Sequence, residues 1–141
     1  LNHSAGDREI LALNQAMLES IVGDNWDRYA SYCDPSLSCF EAETNGILAE
    51  SLDFHQFYFS NKETHPNRIT VAKVTTGKSC SANVIMARPH LRWLSNDAVV
   101  LSYTRLTQRW SGDEAITNSC CETRIWQKID GTWKQVHVHR S

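Results

Sequence analysis

The sequence predicts an α+β domain in which a curved antiparallel sheet cradles a long N-terminal helix. Three observations carry that prediction. Apolar residues recur at helical steps near the start of the chain, and the second half turns to segments rich in Val, Ile, Thr, Trp and Tyr. Short clusters of turn-forming residues separate those segments. Helices followed by a strand meander is an α+β order, and the sheet buries its apolar face by curling around the first helix.

The elements follow in chain order. Ile10, Leu13, Met17, Leu18, Ile21 and Val22 form one stripe of an amphipathic helix, with Gly23 as its terminator. A second helix is expected from an Asp24 cap, with Trp26, Tyr29, Ala30 and Cys33 on one face and Pro35 as its stop. Residues 37–41 read as a short strand and Asn45-Gly46 as a tight turn. Ser51 is placed to cap a third helix from Leu52 to about Asn61, dense in aromatics at Phe54, Phe57, Tyr58 and Phe59. Residues 63–79 read either as a surface loop or as an extra hairpin with strands near 69–75. Strands are expected at 81–94, 98–110, 117–129 and 132–140, joined through Ser95-Asn96-Asp97, Ser111-Gly112-Asp113 and Asp130-Gly131.

Bulk properties narrow the function. A length of 141 residues suits one domain with a real core, and 41% apolar with 21% charged residues is ordinary globular composition. The net charge is −2 with acids and bases interspersed, so there is no electrostatic case for nucleic acid or for a membrane surface. Five cysteines without C-x-x-C spacing argue against a disulfide framework and for a reducing, cytoplasmic setting. The chain opens with Leu1 rather than Met, which points to a piece of a longer protein. It contains no glycine-rich phosphate loop, no nucleophile elbow and no H-E-x-x-H, and no cofactor is expected.

The candidate site rests on where the arginines sit. Strand alternation puts Arg105 on a face with Val99, Leu101 and Tyr103. It puts Arg124 with Glu122 and Trp126, and Arg140 with Val136 and Val138. A guanidinium on an apolar face needs a carboxylate or a bound anion. Three of them converging would hold a small carboxylate through their forked donors, whereas singly they would reach solvent or pair with a neighbour such as Glu122. The last hairpin decides between these. A two-residue Asp130-Gly131 turn makes paired positions sum to 261 and puts Arg124 and Arg140 on opposite faces. A three-residue loop, or an equivalent bulge, brings them together.

Other candidates carry less. His137-x-His139 places two imidazoles on one strand face but lacks a third ligand at motif spacing, so a structural pair is expected and no metal. His55 is either a packed histidine or a donor at a pocket mouth. Acid/base catalysis of the isomerase or dehydratase kind has poor candidate acids. Arg124 would hold Glu122 ionised, and Asp53 reads as a first-turn helix residue. The aromatic third helix needs a cover, either its own core or a second copy of the chain.

Several long stretches resemble the association (hub) domain of calcium/calmodulin-dependent protein kinase II. They are GDNWDRYASYCDP (23–35), CDPSLSCFEAETNGILAESLDFHQFYFSN (33–61), SYTRLTQRW (102–110) and CETRIWQKIDGTWKQVHVHRS (121–141). The D-G-x-W hairpin ending in H-x-H also fits the wider nuclear-transport-factor-like, SnoaL-like superfamily. The resemblance implies one cone-shaped, non-catalytic domain over residues 1–141. It further implies a homo-oligomer in the form of a large ring of dimers, dodecameric or larger. In the parent chain, kinase and calmodulin-binding segments would be tethered to that ring. It also implies a cavity for small carboxylates at His55, Arg105, Arg124 and Arg140. Three features depart from the family: an insertion around 63–79, Cys121 in place of an acid, and a shorter loop near 111–116. The alternative is a stand-alone isomerase, dehydratase or binding protein of the same superfamily.

Overall fold

The computed structural model describes residues 3–41, 44–60 and 82–141, the side chains at 57, 58 and 60 aside. The expected insertion at 63–79 lies outside the described residues. Helix α1 spans Ala5–Val22 and opens with a reciprocal capping box between Ser4 and Asp7. Gly23 ends it as expected, but in a right-handed conformation; the left-handed residue is Asp24, at φ 57°. Asp24 therefore turns the chain and cannot cap the next helix. That role falls to Asn25, whose side chain accepts the Arg28 amide at 3.1 Å and starts α2, Trp26–Ser31.

Helix α2 is shorter than the sequence suggests, because Cys33 already opens strand β1, Cys33–Phe40, and Pro35 lies inside that strand. Proline is tolerated there because β1 pairs irregularly, its register shifting between Cys33 and Ser38. Asn45 and Gly46 both adopt positive φ in a turn closed by Ile47 N–H donating to Thr44 O. Strand β2, Ala49–Glu50, follows. Ser51, also at positive φ, donates its N–H to Leu37 O, and α3 runs Asp53–Ser60, starting one residue later than expected. The strands of the second half are β3 Asn83–Ser95, β4 Ala98–Ser111, β5 Glu114–Ile129 and β6 Thr132–Arg140.

The sheet order is β2-β1-β6-β5-β4-β3, which puts β3 at an edge. All neighbours are antiparallel except β1 and β6, which are parallel, so the sheet is mixed where the sequence suggested only antiparallel strands. Strands β4 and β5 pair without interruption from Ala98↔Gln127 to Ser111↔Glu114. Their neighbours carry the bulges that let the sheet bend. One lies in β3 at Arg88-Pro89, with Arg88 at φ 52°, and one in β6 between the partners of Ile125 and Trp126.

Helix α1 packs on the inner face. Ile10, Met17 and Leu18 are fully buried against Val84, Val99, Leu101 and Trp126. The helix is also pinned by polar bonds. Trp126 Nε1 donates to Asn14 Oδ1 at 3.0 Å, Gln15 Nε2 to Val84 O at 2.8 Å, and Trp93 Nε1 to Asp7 Oδ1 at 2.7 Å. The aromatics of α3 divide: Phe59 packs edge-on to Trp26 and stacks on Tyr29, so part of that helix is covered from within. Among the described residues, large apolar side chains are left in solvent at Ile47, Leu48, Ile85, Leu94, Trp110 and Ile116.

Candidate functional site

Alternation along β4 and β5 continues the inner face beyond Leu101 and Trp126, and there it changes from apolar to charged. Tyr103, Arg105, Glu122 and Arg124 all point inward and are buried, as the strand-face reading expects. Arg105 Nη1 donates to Glu122 Oε2 at 2.9 Å. Arg124 Nε is shared between Glu122 Oε1 at 3.2 Å and Tyr103 Oη at 3.0 Å. The Tyr103 hydroxyl donates to the same Glu122 oxygen, and Arg124 Nη1 donates to Gln135 Oε1. Gln135 Nε2 then reaches Cys33 Sγ at 2.9 Å. Burial would raise the Glu122 carboxyl, but Arg124 and Arg105 outweigh it and hold it at about 2. Burial, with the Glu122 carboxylate beside it, pushes the Tyr103 phenol up to about 12, so it remains a donor.

A second cluster forms where β1 ends beneath α3. His55 is 4% exposed; its Nδ1 lies 2.7 Å from Tyr29 Oη and its Nε2 lies 3.1 Å from Cys39 Sγ. Glu41 sits between an imidazole and a guanidinium, with Oε1 3.8 Å from His55 Nε2 and Oε2 3.7 Å from Arg140 Nη2. Burial, then the charges of Arg124 and Arg140, lower His55 to about 4, which leaves the imidazole neutral near pH 7. That both arginines act on His55 makes the two clusters one electrostatic neighbourhood.

The register explains how Arg140 arrives. The Asp130-Gly131 turn has two residues, both at positive φ, and the first pairs sum to 261, as in Ile129↔Thr132. An extra residue enters β6 after Gln135, and beyond it the pairs become Arg124↔Val138 and Glu122↔Arg140. The face-switching device is thus a bulge within β6 and not a longer loop. Val136 falls at the bulge, so Arg140 shares its face with Gln135 and Val138, in place of the expected Val136. Sequence reasoning missed Glu41, Cys39, Tyr29 and Gln135. The period-two spacing of Cys39 and Glu41 at the end of β1 was the available signal, since it puts thiol and carboxylate on the face that also carries Val138.

His137 and His139 both pack against the Phe40 ring, and His137 Nδ1 lies 2.7 Å from Ser38 Oγ. Asp53 is exposed in the first turn of α3, as expected. A groove of about 730 Å³ between the end of α1 and β3, lined by Val22, Val84, Ile85 and Leu106, contains none of the charged residues described above.

Residues 6–141 match the family model of the calcium/calmodulin dependent protein kinase II association domain. The chain belongs to that family. It is 38% identical over 140 residues to the calcium/calmodulin-dependent protein kinase type II alpha chain of Drosophila melanogaster, covering 98% of this chain and 24% of the relative. The chain therefore spans about a quarter of the length of the curated relatives it matches. The CamKII hub homology domain of Chlamydomonas reinhardtii superposes with a TM-score of 0.84 at 40% identity, covering 99% of this chain and 98% of that one. A nuclear transport factor 2-like protein from Salmonella enterica shares the fold alone, at 18% identity and a TM-score of 0.67 over 96% of this chain and 89% of its own.

An association domain is a non-catalytic module for oligomerisation, and membership places this chain there. The surface has side chains suited to that task. By register, Ile85, Leu106 and Trp110 share the outer face of β3 and β4, and Ile85 and Trp110 are 54% and 60% exposed. Among the described residues, no helix is long and apolar enough to cross a membrane, and Cys33, Cys39, Cys120 and Cys121 are free thiols.

Proposed function

We propose that this domain self-assembles into a closed ring of dimers, dodecameric or larger, that gathers the kinase domains of a calcium/calmodulin-dependent protein kinase in the cytoplasm. The observation that carries this is family membership over residues 6–141 combined with exposed Ile85 on the edge strand β3 and exposed Trp110 on the adjacent β4. Large aromatic and aliphatic side chains in water beside a thirteen-residue edge strand are best accounted for by a covering copy. Tethering kinase domains through calmodulin-binding segments would raise their effective concentration for mutual phosphorylation. Native mass spectrometry of the domain at micromolar concentration is the test. A large symmetric species is expected, and only monomer or dimer would defeat the ring.

The charged neighbourhood is assigned a ligand role within that assembly: Arg105, Arg124, Arg140 and His55 accept a small carboxylate. What supports it is charge count. Among the described residues, three guanidinium groups face the two carboxylates Glu41 and Glu122 and His55 is neutral, so this group is net positive toward an anion. The isomerase or dehydratase reading needs an uncommitted buried acid, whereas Glu122 is held by two arginines. Calorimetric titration with short monocarboxylates tests the assignment, and absence of saturable heat would remove it.

A further inference from the structure

We propose that Cys39, Glu41 and His55 form a binding site for one divalent cation of the zinc class, held by a thiolate, a carboxylate oxygen and an imidazole nitrogen. These three donor atoms all lie within 4.8 Å of one another, and they form the group of this kind found among the described residues. A tetrahedral zinc ion with ordinary bond lengths separates sulfur, nitrogen and oxygen ligands by about 3.4–3.6 Å. The thiol lies 3.1 Å from His55 Nε2, and Glu41 Oε1 lies 3.8 Å from the same nitrogen. Both lie within about 0.5 Å of that spacing from the nitrogen, and binding draws the sulfur and the Glu41 oxygen, within 4.8 Å of each other, together around the ion.

The surroundings fit the assignment. Tyr29 Oη sits on Nδ1, so an Nδ1–H bond to it would direct the Nε2 lone pair toward Cys39 and Glu41, the outer-shell arrangement that orients metal-bound histidines. Glu41 divides its oxygens: Oε1 faces His55 while Oε2 faces Arg140, so a cation can be ligated without breaking the ion pair. The thiolate supplies the new negative charge against the dication, its proton leaving to solvent on binding, and the Glu41 carboxylate is shared between the ion and Arg140. One sulfur, one nitrogen and one oxygen select against magnesium and calcium, which require oxygen ligands. A fourth position remains for water or an anion. The site stands whether or not the arginines take a carboxylate.

Cobalt(II) titration of the reduced, metal-free protein tests it. One equivalent per chain is expected to give a near-ultraviolet thiolate-to-cobalt charge-transfer band that zinc abolishes. The band should vanish in Cys39→Ala and persist in Cys121→Ser. Glu41→Gln should keep the band but weaken affinity by more than the roughly 10–100-fold that loss of a supporting contact costs. Circular dichroism confirms that Cys39→Ala is folded, and the Glu41→Gln affinity provides an independent reading should it not be. No saturable band in the wild type, a band that survives Cys39→Ala, or unchanged affinity in Glu41→Gln would overturn the proposal.

Discussion

Glu122 and Glu41 lie on the same face of one sheet and both sit beside arginines, yet they are held in opposite ways. Glu122 is 2% exposed and accepts from two arginines and a tyrosine at hydrogen-bond distance. Glu41 lies at the end of β1, 3.7 Å from Arg140 and 3.8 Å from a neutral histidine. The first carboxylate has become part of the core, where desolvation is offset only by complete pairing. The second is placed where charge can still be rearranged around an incoming ion. What separates them is position in the sheet: Glu122 lies mid-strand with neighbours on both sides, Glu41 just beyond a strand end.

The contrast is broken most directly at its stronger end. Glu122→Ala should cost about 3–5 kcal/mol, because it strands two buried guanidinium groups, and urea denaturation would show it. A loss under about 1 kcal/mol would mean that water or rearrangement compensates. Arg124→Ala should be nearly as damaging, since it leaves Glu122 half-paired.

Acid should reveal the same network. Glu122 is held at about 2 against an ordinary value of 4.5, so its contribution is fully present above pH 4.5. It is lost as pH falls from there through 2. The amount is roughly 3 kcal/mol by proton linkage, and urea midpoints between pH 2 and 6 would measure it. A midpoint unchanged over that window would show that the carboxylate is not held in this way.

The looser end should respond in ligand affinity and hardly in stability. Arg140→Ala should change folding free energy by less than about 1 kcal/mol, as for partly exposed ion pairs, while lowering affinity for a monocarboxylate at least tenfold in calorimetry. Glu41→Gln should have the smallest effect on stability, within about 0.5 kcal/mol. It should raise carboxylate affinity severalfold, because it removes the anion that competes for Arg140. If Glu41→Gln instead destabilised as strongly as Glu122→Ala, the two carboxylates would be equivalent and the comparison would fail.

Much of this arrangement was legible in the residues. The alternation of Val99, Leu101, Tyr103 and Arg105, and of Glu122, Arg124 and Trp126, assigned the inner faces of β4 and β5 correctly, because a side-chain period of two is a local property of extended backbone. The capped ends of α2 and α3 were less legible. Asp24 and Ser51 both took left-handed backbone, and for α2 the neighbouring Asn25 capped instead. The aromatic third helix was read as the surface most in need of a cover. In the fold, Phe59 finds that cover on Trp26 and Tyr29, and the large exposed side chains include Ile85 and Trp110 on β3 and β4.

By itself the sequence determined the helix stripe that α1 buries, the strand meander, the two inward arginines of β4 and β5 and the family. Each of these depends on periodicity or on long ordered motifs. Only the tertiary structure decided that a bulge after Gln135 turns Arg140 inward, and that β1 runs parallel to β6. It also decided that Cys39, Glu41 and His55 meet. A bulge depends on how two strands settle against a shared core, and the cluster depends on where α3 comes to rest over the end of β1. Neither is written in the spacing of residues along one segment.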